Sequence, residues 1–164
     1  MGDLKTTVKV GISDQNIVMP PKRIRTSGLG SCVGIVIYDL PKKIAGLAHI
    51  MLPDSKLSRQ KKLNHFKYAD TAIPILIEKL FINGARRNYL QAKLAGGAQM
   101  FQFSDTNVMR IGERNITAVQ TILKDLNIPV VAADVGGSKG RTIEFDPSTG
   151  LLKIRTVRKK EFYI

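Results

Sequence analysis

The pattern of apolar and polar positions divides the chain into short strands and two longer periodic segments. "TTVKVGI" alternates polar and apolar residues, as a half-buried strand does. "NIVMPPKRIRT" carries two prolines and predicts an edge or turn segment before the next strand. "CVGIVIYD" is β-branched and nearly continuous in apolar character, which predicts a strand buried on both faces. After the turn "DLPKK", "IAGLAHIML" predicts a second buried strand that forms a hairpin with the first. In "KYADTAIPILIEKLFINGA", Ala69, Ala72, Ile73, Leu76, Ile77 and Leu80 recur at helical spacing; Pro74 falls early in the pattern and Gly84 closes it.

The second half repeats the alternation of element types. "NYLQAKLAGGA" is a strand running into a glycine turn. "RIGERNITAVQTILKDLN" sets Ile116, Val119, Ile122, Leu123 and Leu126 on one helical face. "IPVVAADVG" is a short β-branched strand and "GGSKGR" a loop, while "TIEFD" and "LLKIRTV" alternate around the turn "PSTG". Two main helices and about eight strands predict an α/β fold, a layered α-β-β sandwich with mixed or antiparallel sheets. No repeat, low-complexity tract or linker interrupts residues 1–164, so one domain is expected.

Composition narrows the chemistry. With 43% hydrophobic and 24% charged residues in 164, a folded globular chain is expected. A single cysteine excludes an intramolecular disulfide, a thiol zinc ribbon and a CxxC redox pair. The two histidines, His49 and His65, are too few for a Cys/His metal cage, and no HExxH or EF-hand spacing occurs, so no metal is expected. The start "MGDLKTTVKVGISDQ" has no apolar signal core, and no run is long and apolar enough to span a bilayer. Gly2 and Thr6 make a nominal myristoylation match that is short and permissive enough to arise by chance. A cytoplasmic location without membrane insertion is the expectation.

The formal charge of +13 suits acidic partners. The basic residues are scattered over "KLSRQKKLNHFK", "GARRNYLQAK" and "KIRTVRKK", and aromatic residues are few, which argues against nucleic-acid binding.

The predicted hairpin matters for chemistry. Cys32 opens its first strand and His49 lies near the end of its second, so antiparallel pairing brings the two together. The preceding "GLGSCV" begins like a dinucleotide fingerprint and then fails, because Val33 holds the sixth position and a strand follows instead of a helix. "GGSKGR" lacks P-loop spacing. That leaves Gly28 and Gly30 for backbone work: a tight turn, close approach of substrate, or N–H groups facing an oxyanion. Two readings of Cys32 stand open. It is a small core hydrophobe, or a nucleophile that His49 deprotonates, with Thr26 or Ser31 as polar neighbours. His49 is likewise a hydrogen-bonded core residue or a catalytic base, whereas His65 sits in a polar, basic stretch.

Six blocks carry a resemblance to a known family: "TSGLGSCVGIVIYD", "GLAHIMLPDS", "KYADTAIPILIEKL", "AKLAGGAQMF", "IGERN" and "DVGGSKGRTIEFDPSTG". In this order, from about Val8 to about Val157, they closely resemble the CheD family, the chemoreceptor glutamine deamidases of bacterial and archaeal chemotaxis. The resemblance implies a cysteine amidohydrolase with Cys32 as nucleophile, His49 as base and Thr26 as the residue that orients it. Ser27 departs from the apolar residue common after that threonine. Gly28, Gly30 and Ser31 are candidates for substrate or oxyanion contacts, and no cofactor is required. The implied partners are receptor cytoplasmic helical bundles and a CheC-like phosphatase; Met100 and Phe101 are candidates for an exposed contact or for core. A regulatory binding module with secondary or no catalysis is the alternative function.

Overall fold

A computed structural model describes residues 6–100, 110–157 and 160–164. Gly2 and Phe101, singled out above, lie outside the described residues. The central sheet has the order β2 (Asp14–Val18), β5 (Ile44–Ile50), β4 (Val33–Asp39), β6 (Leu90–Gly96), β7 (Val130–Val135). The outer sheet runs β1 (Thr7–Lys9), β3 (Arg23–Leu29), β8 (Arg141–Asp146), β9 (Leu151–Thr156), β10 (Phe162–Tyr163). Pairings are antiparallel except β1–β3 and β6–β7, so both sheets are mixed. Helices α1 (Ala69–Ile82) and α2 (Ile111–Asp125) cover the face of the central sheet opposite the outer sheet. The order of layers is α-β-β, as the sequence predicts.

The layering explains the unbroken apolar runs. Every residue of β4 and β5 is buried. Val33, Ile35 and Ile37 pack into the core shared with the helices, while Val36 and Tyr38 pack into the core between the sheets. An antiparallel hairpin with one wet face would alternate; this one has no wet face. The predicted hairpin forms, with Gly34 opposite His49 and Val33 opposite Ile50.

The six residues predicted for the buried face of α1 are its buried residues. On α2 the buried line is Gly112, Asn115, Val119 and Leu123, whereas Ile116, Ile122 and Leu126 are only partly buried. A glycine and an asparagine therefore occupy the buried line where a purely apolar count finds nothing. The proline segment resolves into the edge strand β2, a turn, and the start of β3. That last strand does not stand out in the sequence because "RIRTSGL" is mostly polar and its alternation, regular through Thr26, breaks at Ser27 and Gly28.

Candidate active site

The site lies between the two sheets, at the end of the central hairpin. Thr26 comes from β3 of the outer sheet and His49 from β5 of the central sheet. Both are closed off, at 2% and 0% relative exposure. His49 is flanked by Asp14 on β2 and Gly34 on β4, and its carbonyl accepts a hydrogen bond from Ser13 N–H at 3.0 Å. The neighbour on β4 has no side chain, and the volume above it is filled by Ile143 and Leu29 from the outer sheet.

The hydrogen bonds of Thr26 fix the histidine tautomer. Its hydroxyl donates to Val10 O at 2.7 Å. The same oxygen stands 2.7 Å from His49 Nδ1. A hydroxyl has one hydrogen. With that hydrogen given to Val10, Thr26 can only accept from His49, so Nδ1 carries the proton and Nε2 the lone pair. Nε2 meets no hydrogen-bond partner among the described residues. Burial pushes the imidazole pKa down to about 4, so His49 is neutral at pH 7 with its basic nitrogen unengaged.

Cys32 sits in the turn between β3 and β4, half-buried, against the same inter-sheet core. It directly precedes Val33, whose partner is Ile50, and so borders the His49 end of β5. Burial pushes its thiol pKa up, and a hydrogen bond from its own backbone N–H acts in the opposite direction. The resting pair is therefore a neutral thiol and a neutral imidazole.

The turn that presents Cys32 is gripped through its carbonyls. Gly30 O accepts from Ala98 N–H and Cys32 O from Gly97 N–H, each at 2.8 Å. Ser31 O accepts from Asn115 Nδ2 at 2.9 Å. The approach of the 96–98 turn is close: a Cβ on Gly96, at φ +111°, would stand 2.3 Å from Cys32 O. α2 then packs on that turn through Gly112, where a Cβ would meet Ala98 O at 2.5 Å. On the other side, a register shift in β3 between Thr26 and Leu29 lets Ser27 and Gly28 bulge out, both exposed. Gly28 has φ +71°, and its carbonyl takes the Gly30 N–H at 3.1 Å. Ser31 is half-buried.

Thus Thr26 and His49 are in direct contact, and Cys32 packs against the same inter-sheet core two residues before Gly34, the partner of His49, without a hydrogen bond to Nε2. His65 lies apart, in the exposed segment before α1. Met100 is exposed at 47%, and its side chain borders Gly30. Asn115, Gly96 and Gly97 were not assigned roles from sequence. Their only signal was membership of the blocks "AKLAGGAQMF" and "IGERN", since neither polarity nor spacing marks a residue that works by holding backbone. Among the described residues no group of three or more His, Cys, Asp or Glu side chains could hold a metal ion. A groove of about 700 Å³ between α2 and the 53–56 segment is bordered by Pro53, Lys56, Arg114 and Ile122, and by none of Thr26, Cys32 or His49. No helix among the described residues is long and apolar enough to cross a membrane.

A family model described as "CheD chemotactic sensory transduction" matches residues 51–156. The chain is 58% identical over 159 residues to a "Chemoreceptor glutamine deamidase CheD" of Halalkalibacterium halodurans, covering 96% of this chain and 98% of that one. It is 56% identical over 155 residues to the protein of that name from Bacillus velezensis (94% and 93% covered). The Bacillus subtilis protein is 54% identical over 155 residues (94% and 93% covered). Similarity of this extent, over nearly the full length of each relative, places the chain in the CheD family.

Proposed function

We propose that this chain is a protein-glutamine deamidase that converts chemoreceptor glutamines to glutamate, with Cys32, His49 and Thr26 as its catalytic set. The observation that carries the assignment is the Thr26 hydroxyl between Val10 O and His49 Nδ1, because it leaves Nε2 as the base. Since thiol and imidazole are both neutral at rest, attack and proton transfer go together. Sγ bonds to the glutamine Cδ as its proton passes to Nε2. The carbonyl π pair moves onto oxygen, and the Cys32 N–H beside Sγ is a donor for that oxyanion. The imidazolium gives its proton to the amide nitrogen, the C–N bond breaks, and ammonia departs from a thioester. His49 then takes a proton from water as the hydroxide adds to the thioester carbon. Collapse expels the sulfur, which is reprotonated, and glutamate remains. Thr26 is a positioning residue in this scheme, because it acts through the imidazole.

Family membership and the charge of +13 support acidic receptor cytoplasmic domains as substrate, and hence a cytoplasmic site of action. A CheC-like phosphatase is the second partner that the family supports, and its binding should survive Cys32→Ala. The deciding experiment incubates the protein with a purified receptor cytoplasmic domain and maps glutamine-to-glutamate conversion by mass spectrometry. Conversion is expected from the wild type and not from Cys32→Ala. Equal conversion by both would remove Cys32 from the mechanism.

A further inference from the structure

Asn115 is an amide on the sheet-facing side of α2, at 0% exposure, between buried Gly112 and Val119. Its Nδ2 donates to Ser31 O and to Met51 O, both at 2.9 Å. Both amide hydrogens are thereby committed. Its Oδ1 is buried and meets no donor among the described residues. A leucine would fill similar space on this helix line but would leave Ser31 O and Met51 O without this donor, so the amide serves those two carbonyls rather than the packing.

The two carbonyls that Asn115 joins are the informative part. Ser31 precedes Cys32, and Met51 follows His49 by two residues. The Ser31 carbonyl and the Cys32 N–H belong to one peptide group, and that peptide is trans. In a trans peptide the C=O and N–H point in opposite directions. Holding Ser31 O towards α2 therefore turns the Cys32 N–H away from the helix, to the side where it meets Sγ. The peptides on either side are held by backbone donors, Ala98 N–H on Gly30 O and Gly97 N–H on Cys32 O. The middle peptide alone is held by a side chain. The bond to Met51 O fixes the plane of that side chain, and so aims its other hydrogen.

We propose that Asn115 is a positioning residue for the deamidation, locking the Ser31–Cys32 peptide so that the Cys32 N–H faces the developing oxyanion. The inference rests on the function proposed above and extends it to the orientation of one backbone donor. Without the lock this peptide is free to rotate, and the oxyanion then meets a carbonyl dipole where it needs an N–H.

The test pairs two reactions of the same sulfur. Deamidation of a receptor cytoplasmic domain passes through an oxyanion. Alkylation by iodoacetamide is a displacement of iodide by sulfur and develops none. For Asn115→Leu, kcat should fall about 100-fold, the typical loss for one oxyanion donor, with KM and the alkylation rate each within about threefold of wild type. Asn115→Ser keeps one shorter donor and should fall between. An unchanged kcat would overturn the proposal. So would an alkylation rate that falls in step with kcat, which would place the defect in the thiol or the imidazole. If Asn115→Leu does not fold by circular dichroism, Asn115→Ser carries the test, and wild-type kcat in that variant overturns it. A wild type without deamidase activity, or an active Cys32→Ala, would sink the functional reading and this inference with it.

Discussion

The two ends of the central hairpin handle buried polar groups in opposite ways. At one end stands Asp39, at the other His49, and both are fully buried. Burial alone would raise the Asp39 carboxyl. Hydrogen bonds from the Arg86 side chain and backbone and from Lys42 N–H, together with the Arg86 charge, outweigh it and hold the carboxyl below its usual range. Arg86 Nε and one terminal nitrogen each lie 3.1 Å from a carboxylate oxygen, and the guanidinium stacks on Tyr89 at 3.7 Å. Asp39 is charged and saturated. His49 is neutral, holds one side-chain hydrogen bond, and keeps its second ring nitrogen unengaged. The same pair of strands thus carries a structural clamp at one end and a reactive group at the other. The difference is unmet hydrogen-bonding capacity, which a clamp spends and a base must retain.

Substitutions at the two ends should separate activity from stability. Cys32→Ala should show the largest effect on turnover, a loss of about ten-thousand-fold or more, with a melting temperature within about 2 °C of wild type because the side chain is small and only half-buried. A variant that lost activity only by unfolding would show both changes. Arg86→Met should do the reverse. It strands a buried carboxylate, and the melting temperature should fall by roughly 10 °C. Its kcat, measured well below the transition, should match wild type. A loss of kcat in folded Arg86→Met would mean that the two ends are coupled.

Acid should distinguish the ends by pH range. The folded-state pKa of His49, about 4, lies below the ordinary histidine value of 6.5. Between these values the unfolded chain binds a proton that the folded protein does not. The stability from keeping the imidazole neutral is full above pH 6.5 and is lost as the pH falls towards 4, by about 3 kcal/mol. The Asp39 contribution is present above the ordinary carboxylate pKa of 3.8 and is lost only as the pH falls through the lowered folded value. Urea midpoints measured from pH 7 to pH 4 should therefore decline in wild type and flatten in His49→Gln. An equally steep decline in that variant would assign the window to other groups.

These contrasts also show what could be read in the chain beforehand. The α-β-β layering was legible because burial on both faces removes the polar positions from "CVGIVIYD" and "IAGLAHIML", and α1 because its apolar spacing is regular. The placement of Cys32 near His49 followed from the hairpin. The role of Thr26 as hydrogen-bond partner had to come from the family resemblance, because Thr26 and His49 belong to different sheets and no local pattern specifies how two sheets face each other. Asn115 and Val10 were not legible as parts of the site. One is a polar residue on a buried helix line, and the other contributes only its carbonyl, which every residue possesses.

The finest test of the hairpin comparison is made at Thr26. Thr26→Val keeps the shape and removes the acceptor for Nδ1–H. The buried N–H is then left without a partner, and the tautomer with Nε2 protonated is no longer disfavoured. In that tautomer Nε2 cannot accept the thiol proton. A fall in kcat of about 100-fold is expected, with KM nearly unchanged, because the residue acts through the imidazole. Thr26→Ser keeps the hydroxyl between Val10 O and Nδ1 and should stay within about tenfold of wild type. The two variants differ in whether they keep the hydroxyl, so a gap between their kcat values measures the tautomer lock. Wild-type kcat in Thr26→Val with a loss in Thr26→Ser would mean that the threonine methyl holds the ring by packing, and that His49 at its end of the hairpin is fixed by contact alone.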